Sequence, residues 1–245
     1  MERVKIDCLD VFCFRVPIDA PVSTSFGRML NRPGVFVRIT DRDGVFGWGE
    51  VFANWPAAGA EHRAQLLMQD IADLVLGFEA RQPTELFYHL CARTHIRALQ
   101  CGEWGPFAQV IAGLDTALHD LFARRSGLAL ARFLNPSAGN DVQLYASGIH
   151  VENGSGTIEA LRADGHRSFK VKIGFDVKSD LRHLTRCASA LQPGEQLFAD
   201  ANQAWSLENA MVFADAAREL GLGWIEEPLC ADKPEAQWAV LADAC

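Results

Sequence analysis

The sequence predicts an α/β chain in two parts, an α+β N-terminal part followed by repeated strand–helix units. Three observations predict it. Residues 1–55 are rich in apolar/polar alternation, the period of a strand. Apolar stripes at helical spacing come next. After Asn135-Pro136-Ser137-Ala138-Gly139 the texture changes to strand, helix, strand, helix, which implies parallel strands covered by helices. That Pro/Gly-bearing break sets the expected domain boundary, with one domain at 1–135 and a second at 140–245.

The elements follow in order. Val4, Ile6 and Cys8 alternate with polar partners, and Val35, Val37 and Ile39 do so again. Asp43-Gly44 supplies a turn before Val45–Val51. The polar, Gly/Pro-bearing stretch Ile18–Pro33 predicts a mobile loop, and Phe52–Gly59 a second loop. Leu67, Ile71, Leu74 and Val75 form one helical stripe. Val110, Leu114, Leu118 and Leu121 form another, ended by Gly127.

Beyond the break, strands are expected at Val142–Ser147, Phe169–Ile173, Gln196–Asp200 and Gly223–Glu226. Val177, Leu181, Leu184 and Leu191 mark one intervening helix. Ala210, Phe213, Ala217 and Leu220 mark another, begun by Ser206 and closed by Gly221. A further helix is expected from near Pro234, carrying Trp238 and Leu241. The strand ends recur at a regular interval, which would put a fifth near position ~252. A complete eight-fold βα barrel needs about 250 residues by itself. Residues 140–245 are therefore either an open sheet of four strands or a barrel cut near its midpoint.

Composition narrows the function. Of 245 residues, 49% are apolar and 22% charged, and the net charge is −8. An acidic balance with scattered basic residues argues against nucleic acid or an anionic membrane as partner. No apolar run approaches the ~18 residues of a membrane span, and no signal pattern opens the chain, so a cytoplasmic enzyme is expected. The seven cysteines are odd in number and include no Cys-x-x-Cys pair, which disfavours a disulfide framework or thiolate zinc site. A nucleotide-binding sheet is disfavoured too, since no Gly-rich phosphate motif follows a strand.

The polar residues at strand ends carry the chemistry. In Phe169-Lys170-Val171-Lys172-Ile173 the two lysines share one face and the apolar residues the other. Two neighbouring ammoniums are expected to depress each other's pKa, which is how a lysine becomes a general base near neutral pH. Alone, Lys-x-Lys is also what a solvated edge strand shows. The next strand ends in Asp200-Ala201-Asn202, and the one after in Glu226-Glu227-Pro228. Three successive strands thus end in charged groups at the end of the sheet where βα-barrel active sites lie. Asp200 and Glu226 are oxygen ligands of the kind Mg²⁺ takes, and a third is expected near ~252.

These residues, in this order and spacing, resemble the mandelate racemase/muconate lactonizing enzyme branch of the enolase superfamily. Ile111-Ala112-Gly113-Leu114-Asp115-Thr116-Ala117-Leu118-His119-Asp120-Leu121 resembles the family's helix before the barrel. Phe46-Gly47-Trp48-Gly49-Glu50 resembles its capping-domain hairpin. The resemblance covers essentially the whole chain. It implies an α+β capping domain followed by the first half of a modified TIM-type βα barrel, with Mg²⁺ as cofactor and a small carboxylic or sugar acid as substrate. It implies Lys172 as the base, Lys170 as its charged neighbour, Asp200 and Glu226 as metal ligands, and Asn202 as a contact of the intermediate. The implied reaction is removal of the proton α to a carboxylate through an enediolate, in an acid-sugar dehydratase or racemase. Ser147 and His150 at the first barrel strand, and Phe26, Arg28 and Trp55 in the two capping loops, are candidate substrate contacts. Strands five to eight of the family pattern are not in the sequence. A truncated chain, catalytically incomplete alone, is therefore the alternative expectation. A half barrel leaves open edges and an apolar face, so copies of the chain are expected to associate as a homo-oligomer.

Overall fold

The computed structural model describes residues 3–24 and 27–244. These divide into two compact units, one of residues 3–21 and 29–140, the other of residues 22–24, 27–28 and 141–244.

The first unit carries β1 (Val4–Thr24) as far as Pro21, β2 (Gly27–Asp41) from Met29, and β3 (Phe46–Val51). Next come α1 (Gly59–Leu66), a π turn at Leu67–Ile71, α2 (Ala72–Val75) and the two-residue β4 (Glu79–Ala80). Three helices complete it: α3 (Thr84–Cys101), α4 (Trp104–Arg125) and the short α5 (Leu130–Leu134). The sheet order is β3-β2-β1-β4. β2 and β3 pair antiparallel, with Val37 opposite Gly49 and Arg38 opposite Trp48.

One face of this sheet is core. Val35, Val37, Ile39 and Val51 are buried with Leu114, Leu118 and Leu121 of α4. Each such side chain contributes about 1.5–3 kcal/mol on leaving water. The helix sits unusually low on β3. A Cβ on Gly47 would strike the Ala117 carbonyl and Leu121 N–H, and one on Gly49 would strike the Gly113 carbonyl. Glycine at both positions lets a helix backbone rest on a strand backbone.

Ile18–Pro33 is not the loop expected. Its described residues continue β1 and open β2. None of their described side chains is buried, so the stretch lacks the apolar pattern that marks a strand. A helix without an expected counterpart is α3. It buries Leu86, Leu90, Thr94 and Ala98 along one line and ends at Gly102, whose φ is 69°.

The second unit alternates strand and helix: β5 (Ala146–His150), α6 (Gly154–Ala163), β6 (Ser168–Lys172) and α7 (Val177–Ser189). It continues with β7 (Gln196–Asp200), α8 (Leu207–Ala217), β8 (Ile225–Glu226) and α9 (Glu235–Ala244). The four strands are parallel and neighbour one another in chain order. Phe169, Val171 and Ile173 are buried in one cluster with Leu184 and Phe213 from the helices. The starts of α7 and α8 are capped: Asp176 accepts from the Ser179 N–H and Ser206 from the Asn209 N–H.

The first parallel strand lies further along than Val142–Ser147. Val142 and Leu144 alternate as a strand would, yet they are 83% and 73% exposed. Pairing with β6 begins at Ala146 and shifts register before Ile149, at Gly148 with φ 79°. The strand therefore ends at His150 and not at Ser147.

Candidate active site

Register places the polar residues. His150 pairs with Lys172, Lys172 with Asp200, and Asp200 with Glu226. One row thus crosses four strands at their C-terminal end, each residue from a different βα unit. Parallel partners project to the same side, so the row shares the face opposite the buried Phe169 and Val171.

The side chains converge. Lys170 Nζ donates to Glu226 Oε1 at 2.9 Å and Oε2 at 2.8 Å. It lies 3.5 Å from Asp200 Oδ2. Lys172 Nζ donates to Asn202 Oδ1 at 3.0 Å, and the Asn202 N–H donates to Asp200 Oδ1 at 2.9 Å. Lys170 and Asp200 are buried, while the Glu226 side chain is 36% exposed.

The expected mutual depression of the two lysines is not what Lys170 shows. Burial pulls its pKa down, but the hydrogen bond to Glu226 and the charges of Glu226 and Asp200 outweigh it, and the net shift is upward. Opposite charges within hydrogen-bonding distance decide the sign. Lys170 is a fixed cation at neutral pH.

Beneath this row lies an aromatic layer. Phe198, in register with Lys170, stacks on Trp224 with centroids 3.6 Å apart and planes at 12°. Tyr145 meets both rings edge-on, and Lys170 Nζ lies 5.2 Å from the Tyr145 centroid. The Trp224 indole N–H donates to Glu226 Oε2 at 3.3 Å.

The loops above the strands are held in uncommon backbone conformations. Asn202, Gln203 and Glu227 have φ of 46°, 64° and 45°. Asn tolerates this region; Gln and Glu each pay about 1–3 kcal/mol for it. A local network holds them there. The Gln203 N–H donates to the Glu227 carbonyl at 2.7 Å, its side-chain amide to Glu227 Oε1 at 3.1 Å, and its Oε1 accepts from the Ala231 N–H at 2.8 Å.

Lys170, Lys172, Asp200, Asn202 and Glu226 are therefore together. His150 joins their row, its ring stacked on Phe175 at 4.6 Å. Ser147 lies earlier in β5 and outside the row. Trp55 sits in the first unit, half-buried, its carbonyl accepting from Arg63 Nη2 at 3.1 Å. Arg28 is exposed on β2, and Phe26 lies outside the described residues. Trp224 and Gln203 had no place among the expected site residues. The signal for Trp224 was its position two residues before Glu226, which puts both on one face.

Asp200 and Glu226 point at one place, which the Lys170 ammonium marks. Carboxylates aimed at a single cationic point make a hard-oxygen pair that suits Mg²⁺. Among the described residues no group of three or more His, Cys, Asp or Glu is assembled to hold a metal ion. A cavity of about 480 Å³ lined by Trp205, Trp224, Glu227, Trp238 and Leu241 includes none of the row residues in its lining. No helix among the described residues is long and apolar enough to cross a membrane.

Comparison with known proteins identifies the family. The family model for the mandelate racemase / muconate lactonizing enzyme N-terminal domain matches residues 8–134. The enolase C-terminal domain-like model matches 156–244. The chain is 26% identical over 246 residues to a D-galactarolactone cycloisomerase of Agrobacterium fabrum, covering 98% of the chain and 62% of that protein. It overlays the crystal structure of a mandelate racemase/muconate lactonizing enzyme from Bordetella bronchiseptica with TM-score 0.91 and 42% identity, covering 100% of the chain and 64% of that structure. It overlays the L-talarate/galactarate dehydratase of Salmonella typhimurium, liganded with Mg and L-lyxarohydroxamate, with TM-score 0.85 and 28% identity, covering 98% and 62%. The chain thus spans less than two thirds of the length of these relatives. By both domain models, the chain belongs to the mandelate racemase/muconate lactonizing enzyme branch of the enolase superfamily.

Proposed function

We propose that this chain serves an enzyme that removes the proton α to the carboxylate of a sugar acid, with Mg²⁺ as cofactor, in a dehydration or racemisation. Residues 1–135 act as the capping domain and 140–245 as the βα part. The observation that carries the reading is the convergence of Lys170, Lys172, Asp200, Asn202 and Glu226 at one end of the parallel sheet. Relatives named as acid-sugar cycloisomerases and a galactarate dehydratase support the substrate class.

Asp200 and Glu226 would hold the ion, which when bound supplies positive charge beside the substrate carboxylate. Lys172 takes the α-proton. Its Nζ is steered by Asn202 Oδ1 at 3.0 Å, and Asn202 is itself tied to Asp200. Lys170 stays charged and lowers the energy of the enediolate as negative charge develops. Ser147, His150, Phe26, Arg28 and Trp55 are proposed to contact the rest of the acid.

The test is exchange of the α-proton for deuterium, followed by NMR across a panel of sugar acids with Mg²⁺ present. Exchange with at least one acid is expected, and Lys172→Ala should slow it by about 10²–10⁴-fold. Exchange that persists in Lys172→Ala removes the base assignment. A second reading, in which residues 1–245 have no activity alone, is favoured by the two-carboxylate set. Running the same assay on the chain alone and within a longer parent protein separates the two.

A further inference from the structure

We propose that Trp224 is a positioning residue for Glu226, fixing the orientation in which that carboxylate takes a divalent cation. This rests on the Mg²⁺ reading above and adds a residue to it.

A glutamate at the end of a two-residue strand has little to orient it. Its terminal torsion is broad, and this side chain is 36% exposed. Two donors limit it here. Lys170 Nζ takes both oxygens, and the Trp224 indole N–H takes Oε2 at 3.3 Å. The lysine can follow the carboxylate, because an ammonium is a compact charge on a flexible stem. The indole cannot. Its single donor lies in the ring plane, and that plane lies against Phe198 at 3.6 Å and 12°, with Tyr145 edge-on at 5.6 Å. Phe198 is itself only 5% exposed and paired in register with Lys170. A buried ring thus sets the indole plane, the plane sets the N–H direction, and the N–H selects one carboxylate rotamer. Groups that orient a metal ligand in this way are typically worth 10–100-fold in metal affinity.

Packing alone would also place a tryptophan on Phe198, so the test must separate ring from donor. Trp224→Phe keeps a ring on Phe198 and removes the N–H. Trp224→Leu removes both. Mg²⁺ alone is titrated calorimetrically into each protein, and the urea midpoint of each is measured in parallel. The expected result is a Mg²⁺ affinity about 10-fold weaker in Trp224→Phe at a nearly unchanged urea midpoint. Tyr145→Phe, which keeps its ring, should bind Mg²⁺ as the wild type does. Wild-type affinity in Trp224→Phe overturns the proposal. So does a midpoint that falls to that of Trp224→Leu, because the role would then be packing. If the wild type takes up no Mg²⁺, the metal reading itself fails and this inference fails with it.

Discussion

Arg63 offers a sharp test of how the first unit holds its Trp55 loop. Its guanidinium is buried, with the residue 4% exposed. Nε and Nη2 donate to Gln109 Oε1 at 2.9 and 2.8 Å, and Nη2 donates to the Trp55 carbonyl at 3.1 Å. No carboxylate is among these partners, and burial pulls the Arg63 pKa down, with the charge of Glu103 opposing. Arg63→Met keeps a long apolar stem and deletes the charge. Two effects then compete. Losing a buried charge relieves desolvation, while two acceptors lose their donor at about 1–3 kcal/mol each. The acceptors should win, for a net loss of about 2 kcal/mol. Gln109→Leu placed on top removes the stranded amide, so the double variant should recover about 1 kcal/mol or more over simple addition. Urea unfolding at constant m value reads each number, and amide exchange in residues 52–58 should quicken in Arg63→Met. A neutral Arg63→Met, or a strictly additive double variant, would show that the guanidinium does not hold the loop.

Two further predictions concern stability. Glu195 is held at a pKa of about 2 by its paired hydrogen bonds with Arg162, at 2.7 and 2.8 Å. A depressed acid stabilises the fold above its unfolded value of 4.5 and loses that contribution as pH falls toward about 2. Wild type should therefore lose stability relative to Glu195→Gln across that acid window, read as urea midpoints against pH; parallel curves would contradict the pairing. Gly49→Ala would press a Cβ against the Gly113 carbonyl and to 2.9 Å from the Ala117 nitrogen, and should cost about 3 kcal/mol because backbone cannot step aside. Gly105→Ala, with nothing within 4 Å, should cost nothing, so equal midpoints for the two alanine variants would refute the close-packing account.

Much of the second unit was legible because its strands obey a period of two. Phe169, Val171 and Ile173 against Lys170 and Lys172 announce which side faces the helices, and the burial follows. The first parallel strand was misplaced for a reason of the same kind. Val142 and Leu144 have the right alternation but nothing to pack on, and the irregularity at Gly148 moves the strand end to His150. The outer parts of β1 and β2 were hidden because a strand with little to bury has no apolar signature. α3 was hidden because two of its four buried positions are Thr94 and Ala98. The sign of the Lys170 shift depends on Glu226, 56 residues away in sequence, whose position only folding reveals.

The ladder that aligns His150, Lys172, Asp200 and Glu226 also dictates where this protein can change length. Neighbouring lanes stand about 4.8 Å apart whatever side chains they carry. Growing a connecting loop by several residues leaves every lane where it was and costs only the slow logarithm of closure. Inserting one residue between Ser168 and Lys170 is a different event. It would turn both ammoniums into the oily layer under the helices and Val171 toward the carboxylates. Variation in this family member should therefore gather in the connections, while β6 accepts exchange of residues but not a change in their number.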